Sequence, residues 1–242
     1  MTDIAVVVST CDKYHILWEP FCHGLRKYWP DCPWIIQWIT NHLDAPMGET
    51  VKVGDDANWS DTSIAALRII NAEVVLWIHD DNWLTERVDN DILASLGRLL
   101  LDHDDLNAIR LSNCYMSTTC GGYKHDERLR MLCQDSQQRC SLQPSFWRRE
   151  VLLNLLQSGE SPWSFEGEAA RRSWDRPGDH TCCREGFYPL RNLSHVDPAD
   201  WGDEAMRRGQ WTTAAVKYAI RERINIDFSI HPNGNRNTEV SY

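Results

Sequence analysis

Glu73-Val74-Val75-Leu76-Trp77-Ile78-His79-Asp80-Asp81-Asn82 is the stretch that decides the fold. Its unbroken apolar run reads as a strand buried on both faces, as in a sheet covered by helices above and below. Two carboxylates follow it directly, at the strand's carboxyl end. In open α/β sheets that edge is where ligands bind. Neighbouring carboxylates repel each other unless a cation or hydrogen-bond donors compensate them. A divalent ion shared with a diphosphate is one answer, and oxygen ligands suit Mg²⁺ or Mn²⁺. On local pattern alone, a helix cap or a solvated turn accounts for the pair equally well.

Upstream, Ile4–Ser9 is another apolar, β-branched strand, followed by the loop Thr10-Cys11-Asp12. Ile16, Leu17, Phe21, Leu25 and Tyr28 recur at helical spacing, and Pro20 places the regular helix's first turn near itself. Pro33–Thr40 is a second strand, which completes a β-loop-α-β unit of the kind that builds parallel sheets. The segment 41–58 is polar and rich in turn residues. Ser60 or Asp61 can cap a helix carrying Ile64, Leu67 and Ile70. Downstream, a helix spans about Asp89–His103 and a strand Asn107–Ser112. Tyr115–Arg139 lacks periodicity and reads as a long functional loop. Trp147–Leu156 is helical, with Gly159 as its cap. Trp163 opens a further short helix, Gly186–Leu190 forms a strand, and Thr212–Arg223 a helix. These elements predict an α/β fold: a Rossmann-like, mostly parallel sheet flanked by helices in a single domain over residues 1–231. The first half covers about 1–112 and the second about 113–231. Residues 232–242 read as a polar, mobile tail.

The chain of 242 residues carries a net charge of −10. Its basic pairs, such as Arg148-Arg149 and Arg171-Arg172, are too scattered for a nucleic-acid face. The nine cysteines are odd in number and show no CxxC spacing, so free thiols in a reducing cytosol are the simpler account and a zinc site is not expected. No apolar run approaches a membrane span. Twelve tryptophans are a heavy load. Flat rings with an N–H at the edge suit sugar faces in a cleft, although core packing is the plainer role for any one of them.

Three constellations carry candidate chemistry. His79-Asp80-Asp81 is the strongest. In Trp163-Ser164-Phe165-Glu166-Gly167-Glu168, aromatics framing a carboxylate raise its basicity, while a helix start favours the anion. The plainer account there is that Glu166 and Glu168 complement the helix dipole. Ser9-Thr10-Cys11-Asp12, with Asp55-Asp56 and Trp59-Ser60-Asp61, offers hydroxyls and carboxylates for a base or ribose. No glycine-rich phosphate loop, GxSxG or HExxH pattern occurs.

In order along the chain, Val6–Asp12, Val75–Leu84, Ser141–Arg148, Trp163–Glu166 and Gly209–Trp211 resemble GT-A-fold glycosyltransferases. The similarity is greatest to bacterial enzymes of capsule and lipopolysaccharide synthesis, and it spans Ile4 to Ala215. The resemblance implies a cytoplasmic enzyme that moves a sugar from a nucleotide-sugar donor, a UDP-sugar, to a glycan or lipid-linked acceptor. It carries no transmembrane segment and meets the membrane peripherally if at all. Thr10, Cys11, Asp12, Asp56, Trp59, Asp61 and Asp80 would hold the donor and Trp163 the acceptor. Asp81 and His195 would ligate a divalent metal, Mn²⁺ or Mg²⁺, and Glu166 would be the base of an inverting reaction. The family's Asp-x-Asp pattern is altered here, with His79 and Asn82 flanking the pair. Two rivals remain. A sugar-phosphate nucleotidyltransferase would carry a glycine-rich basic first loop, which is missing. A non-catalytic nucleotide-sugar- or carbohydrate-binding protein would keep the fold without transfer.

Overall fold

The strand that ends in the acid pair lies at the centre of a seven-stranded sheet. The computed structural model describes residues 2–111, 118–136, 139–174, 187–189, 204–207 and 209–230. His195 and the tail 232–242 lie outside the described residues. β1 (Thr2–Ser9) pairs in parallel with β2 (Ile35–Thr40) on one side and β4 (Ala72–His79) on the other. β3 (Glu49–Lys52) extends the sheet beyond β2. β8 (Ser145–Arg148) runs antiparallel to both β4 and β5 (Ala108–Arg110), and β9 (Phe187–Pro189) closes the far edge in parallel with β5. The order is β3-β2-β1-β4-β8-β5-β9. From β1 the chain first builds outward through β2 and β3, then returns to β1's other side with β4. The crevice at the carboxyl ends of β1 and β4 is therefore a topological switch point.

Alternation along the central strands feeds two cores, one on each face. Ile4, Val6 and Val8 of β1 and Val74, Leu76 and Ile78 of β4 face one side. There they meet α1 (Trp18–Tyr28), α3 (Asn90–Asp102) and α6 (Thr213–Glu222). Ala5, Val7, Val75 and Trp77 face α2 (Trp59–Ile69), α4 (Arg149–Leu155) and α5 (Pro162–Trp174). This is a mixed α/β, three-layer domain. Among the described residues, no helix is long and apolar enough to cross a membrane.

Several expectations change. A 3-10 turn over Asp12–Leu17 precedes α1, and Pro20 falls in the helix's first turn. α2 is capped by Asn58, not Ser60 or Asp61: the Asn58 side chain accepts from the Asp61 amide at 3.0 Å. Trp147 lies in a strand, because its segment pairs with β4 and β5 and Phe146 and Trp147 point into opposite cores. The loop read over Tyr115–Arg139 contains a hairpin, β6 (Thr119–Tyr123) with β7 (Asp126–Leu132), whose register shifts around Gly121 and Gly122. β3 escapes notice as a short polar edge. Its approach needs Gly48, at φ +75°, where a Cβ would collide with the carbonyl oxygen of Ile36. Gly48→Ala is expected to cost about 1–3 kcal/mol of unfolding free energy, read by urea denaturation.

α6 is fastened to α1 by a buried carboxylate. Glu222 accepts from Lys27 Nζ (2.6 Å), Tyr28 Oη (2.6 Å), His23 Nε2 (3.1 Å) and Arg221 Nε (2.8 Å). Burial works against its ionisation, but these donors prevail and hold the group down at about 2. A depressed carboxyl stabilises the fold above its unfolded value, near 4.5, and loses that contribution as the pH falls through about 2. The stability gap between wild type and Glu222→Gln is therefore expected to be full at pH 6 and to close between pH 4.5 and 2 in chemical-denaturation curves. A gap that is constant across this range would refute the assignment.

Candidate active site

At the switch point lies a cleft of about 570 Å³. The loop after β1, the start of α2, the turn after β4, the loop before β8, the start of α5 and the hairpin ahead of α6 all contribute to it. That short hairpin pairs β10 (Met206–Arg207) with β11 (Gln210–Trp211). The cleft brings together residues far apart in sequence: Thr10, Cys11, Asp56, Trp59, Asp80, Asp81, Trp163 and Glu166 all line it.

The acid pair forms the floor. Asp80 is buried and takes a short hydrogen bond from the Thr10 hydroxyl, which itself accepts from Trp18 Nε1 at 2.8 Å. Burial and the neighbouring Asp81 charge push Asp80 well above the usual carboxylate range, against the Thr10 bond. Burial, and then the Glu204 charge, raise Asp81 to about 7. Burial holds His79 down at about 4, a neutral imidazole whose Nε2 has no hydrogen-bond partner among the described residues. Cys11 is raised to about 11 by burial and by Asp56 and Asp80, so it stays a thiol.

The acids lining the cleft are Asp56, Asp80, Asp81, Glu166 and Glu204. Among the described lining residues the single Arg or Lys is Arg207, which stands 3.9 Å from Glu204. Such a site disfavours a bare diphosphate. The same donor chemistry suits a hard divalent cation, which compensates paired carboxylates. Among the described residues no three His, Cys, Asp or Glu side chains converge as a ready ligand set. One or two carboxylates with phosphate oxygens and water are nevertheless the usual shell of Mg²⁺. The residues present therefore fit a cation carried in with a phosphorylated ligand, with Asp81 as its protein ligand.

Opposite stands Glu166, in the first turns of α5. Its Oε1 accepts from the Leu142 amide (2.7 Å) and from Ser141 Oγ (2.9 Å). Oε2 makes no hydrogen bond among the described residues, so the carboxylate is held in place with one oxygen to spare. Trp163 is 74% exposed at the rim, a flat apolar face beside Glu166. Trp59 opens α2, donates to Ser9 Oγ at 3.2 Å and leans on Phe165 with ring centroids 5.4 Å apart.

Two candidates are held elsewhere. Asp12 binds the loop after β2: its carboxylate accepts from the amides of Asn41 (2.9 Å), His42 (2.8 Å) and Leu43 (3.0 Å). Asp61 occupies the third position of α2 and bonds Asn58 and Ser158. Neither lines the cleft. Sequence reading missed Tyr14, Gln143, Glu204 and Arg207, which do. For Arg207 the neighbouring Gly209-Gln210-Trp211 block was the available signal.

No protein-family model matches the chain, and no curated protein matches it. Among solved structures, the S. aureus TarS 1–349 complex with UDP is similar at a TM-score of 0.49 and 12% identity, over 79% of this chain and 58% of that one. The 2-C-methyl-D-erythritol 4-phosphate cytidylyltransferase of Thermus thermophilus gives 0.46 and 10%, over 92% and 100%. The bifunctional IspDF of Campylobacter jejuni gives 0.41 and 13%, over 77% and 52%. The chain thus spans little more than half of two of these proteins. At such identities and scores the likenesses say nothing of what this chain binds or does.

Proposed function

We propose that the protein is a glycosyltransferase that moves a sugar from a nucleoside-diphosphate donor, a UDP-sugar, to a hydroxyl of a glycan or lipid-linked acceptor. One observation carries this reading. A switch-point cleft sets a desolvated acid pair on its floor and a fixed, half-free carboxylate, Glu166, beside an exposed indole. The sugar fits between a metal–diphosphate held over Asp81 and an acceptor resting on Trp163.

In this reading Glu166 Oε2 takes the proton of the acceptor hydroxyl. The acceptor oxygen forms a bond to the anomeric carbon as the bond from that carbon to the diphosphate oxygen breaks. The bonding pair leaves with the nucleoside diphosphate. Ser141 and the Leu142 amide keep Glu166 aimed. Thr10 fixes Asp80, leaving Asp81 to hold a divalent cation. When bound there, that ion would offset charge gathering on the leaving diphosphate. Arg207 stands on the same cleft as a second positive charge for that group.

The test is a thermal-shift series with UDP, GDP, CDP and ADP, each with and without Mn²⁺. One diphosphate with Mn²⁺ is expected to raise the melting temperature at ligand concentrations near 100 times Kd, equivalent to about 2.7 kcal/mol. No shift with any of the four would overturn the donor reading. Pyrophosphate release from a nucleoside triphosphate and a sugar phosphate would replace glycosyl with nucleotidyl transfer. Binding without transfer or donor hydrolysis would leave a carbohydrate-binding protein.

A further inference from the structure

The acid pair sits on a turn, and its side chains repel each other, so something must hold that backbone still. Both of its carbonyl oxygens are bonded by groups that lead to α6. Trp83 Nε1 donates to the Asp80 carbonyl at 3.1 Å, and the Trp83 ring packs on Tyr218 of α6, centroids 5.0 Å apart. The Ala205 amide donates to the Asp81 carbonyl at 2.9 Å. Thr212, the residue that caps α6, holds Ala205 and Glu204 in turn: its amide donates to Ala205 O at 3.1 Å and its hydroxyl to Glu204 O at 2.8 Å. One helix thus stands behind the floor of the cleft and behind the wall that carries Glu204 and Arg207.

α6 itself is seated by Glu222, whose carboxylate draws three donors from α1. The fit between these helices is close. A Cβ on Gly24 of α1 would lie 3.1 Å from Tyr218 Oη and 3.3 Å from the amide nitrogen and carbonyl oxygen of Leu84. α1, α6 and the end of the acid-bearing turn therefore meet at one point with no slack.

We propose that α6 is a brace for the acid pair and that Glu222, remote from the cleft, is a positioning residue that sets the site's affinity for a metal–nucleoside diphosphate. This rests on the donor reading above. Losing the Glu222 tie lets α6 shift on α1. The shift reaches Asp80 through Tyr218 and Trp83, and Asp81 through Thr212 and Ala205. Glu166 belongs to α5 on the opposite face of the sheet, so the base keeps its place and the loss falls on binding of the metal–diphosphate.

The test uses Glu222→Ala, Glu222→Gln, and the milder Lys27→Ala and Tyr28→Phe, which remove single donors if the first fails to fold. Glu222→Ala is expected to weaken binding of Mn²⁺ with UDP, by calorimetry, about tenfold, and to raise the donor KM by a similar factor. Its kcat at saturation should stay within about threefold of wild type. Glu222→Gln keeps one acceptor oxygen, for Tyr28 or for Lys27 but not for both, so it should recover part of the loss. Amide hydrogen exchange reads the brace without any ligand. Residues 80–84 and 205–206 should exchange faster in the variants, while β2 and β3 should not change. Folded variants with unaltered exchange at 80–84 would overturn the brace, as would a fall in kcat with KM unmoved. If wild type binds none of the nucleoside diphosphates, the donor reading fails, and the exchange data alone decide the brace.

Discussion

Glu166→Gln is expected to lower kcat by about 10²–10⁴ while the donor KM stays within about threefold. Glutamine keeps the volume and keeps an oxygen able to accept from Ser141 and the Leu142 amide, so α5 should not move. What it removes is the basic oxygen. If Glu166 only complemented the helix dipole, losing its charge would cost a few tenths of a kcal/mol in stability and nothing in turnover. The two accounts therefore separate by orders of magnitude in rate. Near-normal transfer by Glu166→Gln would end its role as base. Ser141→Ala is a lesser version of the same experiment, because Leu142 still holds Oε1.

Asp81→Asn should produce the second large effect, with a sign that depends on metal. With Mn²⁺ present, nucleoside-diphosphate binding should weaken by about 100-fold and kcat/KM should fall at least as far. With the metal chelated, the variant should bind the diphosphate as well as wild type or better, because one negative charge facing the phosphates is gone. The ligand-free variant should also melt about 2–4 °C higher. Asp81 is desolvated and faces Glu204, and those two influences raise its carboxyl to about 7. A neutral side chain removes that repulsion. Equal losses with and without Mn²⁺ would mean that Asp81 touches the ligand directly and holds no cation.

The parts of this fold that sequence reveals are those where one physical signal acts alone. Val74–Ile78 and Ile4–Val8 are apolar without interruption because the sheet is covered on both faces, and their carboxyl ends locate the cleft. Asp89 and Thr212 announce helix starts because their side chains reach amides two and three residues ahead. Where signals compete, the reading fails. Trp147 looks helical because the residues after it are, yet the pairing of its segment with β4 and β5 makes it a strand. Asp12, Asp61, Asp80 and Asp81 are alike as letters. Asp12 answers loop amides and Asp61 the side chains of Asn58 and Ser158, whereas Asp80 takes the Thr10 hydroxyl and Asp81 faces another acid, a difference visible only once the neighbouring loops are in place. Glu204 and Arg207 reach the cleft from late in the chain, where only the Gly209-Gln210-Trp211 block lies near them in sequence.

β8 pairs with β4 only after the whole of residues 80–144 has been made. A ribosome delivers β1 to β4 first, so the nascent chain holds a half-domain whose apolar β4 has one bare edge. Bare apolar edges invite pairing with other chains. The four-residue strand Ser145–Arg148 is therefore also a shield that arrives late. The interval before it arrives is when this protein is most exposed to misassembly, and chains truncated ahead of it should be the ones that chaperones hold or that form aggregates.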